Sequence, residues 1–189
     1  MRESLPPRVV ARLEAYEALV RRWAPKLDLV APGDLDRFGS RHIDDALRAL
    51  PLVEAAPPGA AVDVGSGAGV PGIPLAIAAP ERHWRLLEPR ARRAAFLEEA
   101  VRELDLEVEV GRLRAEEAAR TEWGQAHALA TARALAPPRA ALELLWPLLR
   151  PGGYAVLFVG DSAEIPPETH DAGPGLRYGR KRSGKGRDG

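Results

Sequence analysis

The sequence predicts an α/β fold: a mostly parallel sheet with helices on both faces, preceded by an N-terminal helical extension. Three observations predict it. Short apolar runs alternate with helix-spaced segments between residues 61 and 159, which is the pattern of repeated βαβ units. The first of those runs ends in a glycine-rich bend, Gly65-Ser66-Gly67-Ala68-Gly69. The chain has 189 residues, 46% of them apolar, enough for one real core and a default of one domain.

Residues 5–24 space Val9, Leu13, Tyr16, Leu19, Val20 and Trp23 as a helix does, and Pro25 is expected to end it. Ala31-Pro32-Gly33-Asp34 reads as a linker. A second helix is expected over about 35–55, with Phe38, Ile43, Leu47 and Leu50 on one face and Pro51 as a break or kink. Pro57-Pro58-Gly59 is a stop. Five strands are expected at 61–64, 84–87, 108–110, 128–131 and 154–159, separated by helices near 70–79, 91–104, 115–120 and 138–149. In 161–175 only Ile165 is a large apolar residue, so no strand is expected there. The chain therefore divides into a helical extension (1–56), an α/β core (57–160) and a linker with a basic tail (161–189), all one domain with its C-terminal strands reduced.

Composition excludes several function classes. No run of 18 uncharged apolar residues is present, so no membrane span is expected. The first 20 residues hold no uninterrupted apolar block, so no secretory leader is expected, and the cytoplasm is the expected compartment. There is no cysteine, which removes disulfides, thiolate zinc sites and a cysteine nucleophile. The four histidines are never three or four residues apart, and no metal site is expected. Net charge is zero, yet 176–189 holds six Arg/Lys against Asp188, leaving the remainder at −5. Such a tail either meets nucleic acid or is a solvated end.

The bend at 65–69 carries the chemistry. Glycines let the backbone turn sharply and let a ligand approach the main chain. The dinucleotide pattern Gly-x-Gly-x-x-Gly started at Gly65 would need glycine at position 70, which is Val70. Started at Gly67 it falls too far beyond the strand and encloses Pro71. The Gly-x-Gly-x-Gly form suits S-adenosylmethionine (SAM) better. A nucleotide site of this kind also wants an acid at the end of the second strand, about 20 residues on, to hold the ribose hydroxyls. Glu88 stands 23 residues after Gly65, directly after Leu86-Leu87. Asp63, inside the first strand, either orders the turn or sits near the sulfonium.

These residues resemble those of a known family. Gly65–Ile77 (GSGAGVPGIPLAI) is similar to the glycine loop of the RsmG (GidB) family, SAM-dependent methyltransferases acting on N7 of a guanine in 16S ribosomal RNA. Tyr16, Leu19 and Trp23 with Lys26-Leu27-Asp28-Leu29 resemble its N-terminal helix. Arg41-His42-Ile43 with Asp45 and Leu47, Leu86-Leu87-Glu88 with Arg92-Arg93, Arg114–Glu117, and Ala132–Ala136 resemble its later segments in order. The resemblance covers roughly residues 10–160 and implies a Rossmann-like class I SAM-dependent methyltransferase. It implies cofactor contacts at Gly65 and Val70 on the loop, beside Gly67 and Gly69 that the glycine pattern itself supplies, Glu88 at the ribose, Ala115 and Glu116 around the adenine, and Arg133 after the fourth strand. Arg133 would meet either the SAM carboxylate or a phosphate.

The partner so implied is 16S ribosomal RNA, alone or in a small-subunit assembly intermediate, with the chain a monomer. Its expected contacts are Arg41, His42, Arg92, Arg93, Arg180 and Lys181, with a solvated helix face as the plainer reading of Arg92-Arg93 and a structural brace as that of His42. Guanine N7 offers a free lone pair, so no general base is needed and no catalytic residue is assigned. The chain departs from the family at Ala24, Val30, Ala46 and Val159. Two other readings keep the same loop: a SAM-dependent methyltransferase of a small molecule or protein, and a non-catalytic SAM- or RNA-binding relative.

Overall fold

The computed structural model describes residues 4–160 and 163–182. Five parallel strands form its centre: β1 (Ala61–Val64), β2 (Trp84–Leu87), β3 (Val108–Gly111), β4 (His127–Arg133) and β5 (Leu149–Phe158). Two further strands, β6 (His170–Asp171) and β7 (Leu176–Arg180), extend the sheet antiparallel beyond β5. The order is β3-β2-β1-β4-β5-β7-β6. All four β1 residues and six of the seven in β4 are buried, as central parallel strands covered on both faces must be. The chain leaves β1 toward β2 on one side, and β4 lies on the other. This strand-order reversal opens a crevice at the carboxyl ends of β1 and β4.

The N-terminal extension shares a core with the sheet rather than hanging from it. Helix α1 (Pro7–Leu27) buries Val9, Leu13, Tyr16, Leu19 and Val20 in one cluster with Ile73, Leu86, Phe96 and Leu97. Pro25 lies inside this helix, two residues before its end, where the sequence had it as the terminator. The missing N–H forfeits only one bond near an end that already frays. Asp28, left-handed at φ +47°, closes the helix. The carbonyls of Lys26 and Asp28 accept from Arg92 Nη2 (2.7 Å) and Arg93 Nη2 (3.0 Å).

The single helix expected over 35–55 is instead four pieces. A 3-10 turn (Pro32–Arg37) and a π-helical turn (Gly39–Ile43) lead into α2 (Asp44–Leu47), and α3 (Leu50–Ala55) follows a break. The break sits before Pro51, which has no N–H to give the Leu47 carbonyl. Arg82 then ties this region to the core by donating to the carbonyls of Val53 (3.0 Å), Pro57 (3.0 Å) and Gly59 (2.7 Å).

Four more helices fill the crossovers: α4 (Gly72–Ala78), α5 (Ala91–Glu103), α6 (Ala115–Ala118) and α7 (Pro138–Leu145). The largest departure from the sequence reading is at the C-terminus, where strands replace part of the linker and tail. Leu176 and Gly179 face inward, and Trp146 packs so closely on Gly179 that a Cβ there would lie 3.0 Å from the indole. Tyr178 stacks on Tyr154 with ring centroids 5.6 Å apart. A basic composition hid a strand paired on both sides, with β5 and with β6. Residues 183–189, the rest of the basic tail, lie outside the described residues. Among the described residues no helix is long and apolar enough to cross a membrane.

Candidate functional site

β1 ends at the crevice, and the backbone there leaves ordinary conformations. Gly65, Gly67 and Gly69 have φ of +74°, +56° and +97°. The loop is tied down from three directions. The N–H groups of Gly65 and Ser66 both donate to the Leu87 carbonyl at the end of β2 (2.8 and 3.0 Å). The Tyr16 hydroxyl on α1 donates to the Ala68 carbonyl (2.6 Å). Burial, and next to it the charge of Asp63, push the Tyr16 phenol well above its usual pKa, so it stays a donor.

Glu88 provides the third tie. Its Oε2 accepts from Gly67 N–H (3.0 Å) and its Oε1 from Arg90 N–H (2.8 Å). The residue is only 3% exposed, turned under the loop rather than out into solvent. A carboxylate offers about four lone-pair positions, so two amides leave room for two hydroxyl donors. Gly67 presents an open face: a Cβ built there would meet only Gly65 O at 3.8 Å and Arg93 Nη1 at 3.9 Å. The Leu135 side chain packs against Gly65 from the β4 side. A nucleoside with a vicinal diol fits this combination of a bare backbone turn and a half-occupied buried carboxylate. Ala115, buried, and Glu116, exposed, begin α6 after β3, on the same carboxyl edge of the sheet.

Asp63 lies beneath the loop, fully buried, and serves the turn. Its Oδ1 accepts from the Thr131 hydroxyl (2.7 Å) and its Oδ2 from Gly72 N–H (3.2 Å). Burial pushes its carboxyl up to about 6, against the Thr131, Gly72 and Arg133 contributions that pull it down. Its pKa is therefore higher folded than at the ordinary 3.8, so its ionisation opposes folding. Its contribution to stability is present below that lower value and is lost as pH rises through about 6. Carboxyl-carbon NMR is expected to place the Asp63 midpoint near 6, and Thr131→Val to raise it further and to cost more stability near neutral pH than in mild acid. A midpoint at the ordinary carboxylate value would contradict the buried network.

Arg133, at the end of β4, does not stand free. Its Nη2 donates to His42 Nδ1 (2.8 Å), and its Nε lies 3.8 Å from Asp45 Oδ2. His42 is half-buried, and burial and the Arg133 charge lower its pKa, so the ring is neutral. The ring proton then sits on Nε2, 3.4 Å from Asp34 Oδ2, while Asp34 also pairs with Arg41 (2.9 Å).

The residues expected to meet RNA are not brought together as one surface. Arg41 and His42 lie beside the end of β4, and Arg92 and Arg93 lie beside the glycine loop, where each also satisfies a carbonyl of the α1 terminus. Arg180 pairs across from Tyr154 near the start of the parallel part of β5, at the opposite end of the sheet from the loop. Lys181 points inward to the carbonyls of Trp146 and Leu149, and burial lowers its pKa. A cavity of about 490 Å³ opens instead at the carboxyl ends of β4 and β5, lined by Leu135, Pro137, Pro138, Phe158 and Val159 among others. The sequence reading missed the ties from Thr131 and Tyr16, because pairs 68 and 52 residues apart leave no local pattern.

The profile of the family described as rRNA small subunit methyltransferase G matches residues 9–183. The chain is 44% identical over 156 residues to the ribosomal RNA small subunit methyltransferase G of Acidiphilium cryptum, covering 80% of this chain and 69% of that protein. It is 40% identical over 173 residues to the protein of the same name from Frankia alni, covering 90% of this chain and 64% of that one. The chain thus spans about two thirds of the length of these relatives. Among solved structures, a T. thermophilus 16S rRNA methyltransferase in complex with AdoMet and guanosine shares the fold, with a TM-score of 0.58 at 17% identity over 81% of this chain and 44% of that one.

Proposed function

The chain belongs to the rRNA small subunit methyltransferase G family, and from that premise we propose that it transfers a methyl group from SAM to N7 of a guanine in 16S ribosomal RNA. The observation that carries the reading is the half-occupied Glu88 carboxylate beneath the open face of Gly67. Bound there, SAM supplies a methyl carbon already activated by its sulfonium. Gly65, Gly67, Gly69 and Val70 would bound the nucleoside, Glu88 would hold its ribose hydroxyls, and Ala115 and Glu116 would border the adenine. Arg133 would face the amino-acid end.

The residues of this site do positioning work. Guanine N7 attacks with a lone pair that carries no proton, so the site needs no general base and its contribution is alignment and exclusion of water. The cavity beside Leu135 is large enough for a purine and is mostly apolar, as a pocket for a base splayed from RNA should be. Val159 lies on its wall. Arg41, Arg92 and Arg93 would meet phosphates near the cofactor, while Arg180 and Lys181 would be remote from it. The reading puts the chain in the cytoplasm, with ribosomal RNA or a small-subunit assembly intermediate as partner and the chain acting as a monomer.

Mass mapping of 16S RNA from a strain lacking this chain is expected to show loss of a single N7-methylguanine, restored by the wild-type chain and not by Glu88→Ala. Full retention of every N7-methylguanine in the deletion strain would contradict the reading.

A further inference from the structure

We propose that His42 is a positioning residue for Arg133, aiming one nitrogen of its guanidinium at the carboxylate of the bound methyl donor; the inference rests on the reading of Arg133 as a cofactor contact. The guanidinium has three nitrogens. Two are engaged by the N-terminal extension: Nη2 by His42 Nδ1 at 2.8 Å, and Nε by the Asp45 carboxylate at 3.8 Å. The third, Nη1, is buried with no hydrogen-bond partner among the described residues. A buried guanidinium nitrogen without an acceptor is costly, and each such group in a native structure calls for an explanation. An anionic ligand group at the carboxyl end of β4 would supply the acceptor.

The supports are themselves braced. Asp45 is held by Arg48 at 2.9 Å. The His42 ring packs on Phe38, with centroids 5.2 Å apart, and Phe38 packs on Tyr16, which holds the glycine loop. The Asp34 carboxylate lies 3.4 Å from His42 Nε2, which favours the tautomer with Nδ1 free to accept. A chain of contacts therefore runs from the π-helical turn at Gly39–Ile43 to the residue at the end of β4. His42, expected from the sequence as an RNA contact with a structural brace as the plainer reading, would serve this task.

The test exploits side-chain geometry. The Oδ1 of asparagine stands where histidine carries Nδ1, whereas the Oε1 of glutamine reaches one bond further. Calorimetric titration with SAM is expected to show dissociation constants raised about tenfold for His42→Ala and His42→Gln, and restored to within about threefold of wild type by His42→Asn, since a bond between neutral acceptor and charged donor commonly carries about that factor. Loss of ring packing on Phe38 would lower the melting temperature of all three variants, so the asparagine rescue separates positioning from structure. Equal affinity in all four proteins, or an asparagine variant that is folded yet as weak as alanine, overturns the proposal. A wild-type chain that binds no SAM overturns the functional reading as well, whereas wild-type binding without the asparagine rescue overturns only the role of His42.

Discussion

Glu88→Ala is expected to weaken SAM binding by about a hundredfold or more while leaving the chain folded. Hydrogen bonds to a charged acceptor contribute about 1.5–3 kcal/mol each, so losing two ribose contacts removes at least about 3 kcal/mol, which is that factor in affinity. A second loss compounds the first. Gly67 N–H and Arg90 N–H both rest on this carboxylate, and without it the loop is no longer held in its receiving shape. The fold does not depend on it in the same way, because Gly65 and Ser66 remain tied to Leu87 and Ala68 remains tied to Tyr16. Calorimetry with SAM, set beside thermal unfolding, reads both effects. An alanine variant that binds as tightly as wild type would contradict the placement of the ribose.

Gly72→Val is expected to do the reverse, damaging stability first. Its N–H donates to the buried Asp63 carboxylate, and a Cβ at this position would lie 2.4 Å from Leu86 Cδ2, 2.8 Å from Asp63 Cβ and 2.9 Å from Asp63 Oδ2. None of these neighbours can retreat, since Leu86 and Asp63 are fully buried on adjacent central strands. Overpacking costs about 1–3 kcal/mol, and displacing a donor from a buried carboxylate adds about 1–3 kcal/mol. The melting temperature should fall by about 6–12 °C or more for a chain of this length. An unchanged melting temperature would contradict the packing of α4 on β1 and β2. Glycines five residues apart thus have separate duties: Gly67 faces the ligand, and Gly72 faces the core.

Much of this was legible in the sequence because the signals are local. The strand, the glycine bend and Glu88 lie within 28 residues, and a parallel sheet buries whole runs that stand out as apolar. The five parallel strands and their intervening helices were expected nearly where they lie. What was not legible depends on distant partners. Arg92 and Arg93 read as a phosphate-binding pair, and the structure shows them also satisfying carbonyls at the end of α1 more than 60 residues away. Arg133 and His42, 91 residues apart, each resembled a family residue, but nothing in the sequence joined them. The helix over 35–55 failed as a single element because its apolar face is continuous while its backbone hydrogen bonding is not. β7 was hidden by a stretch that looks like a solvated basic end, although Trp146 covers Gly179 on one face and Tyr154 stacks on Tyr178 on the other.

The most direct test of the site is diffraction from the chain crystallised with S-adenosylhomocysteine. The expected result is a nucleoside over residues 65–69 with both ribose hydroxyls within hydrogen-bonding distance of Glu88, whose bonds to Gly67 and Arg90 persist. A nucleoside found elsewhere on the molecule, or one lying over the loop with its ribose turned away from Glu88, would contradict it.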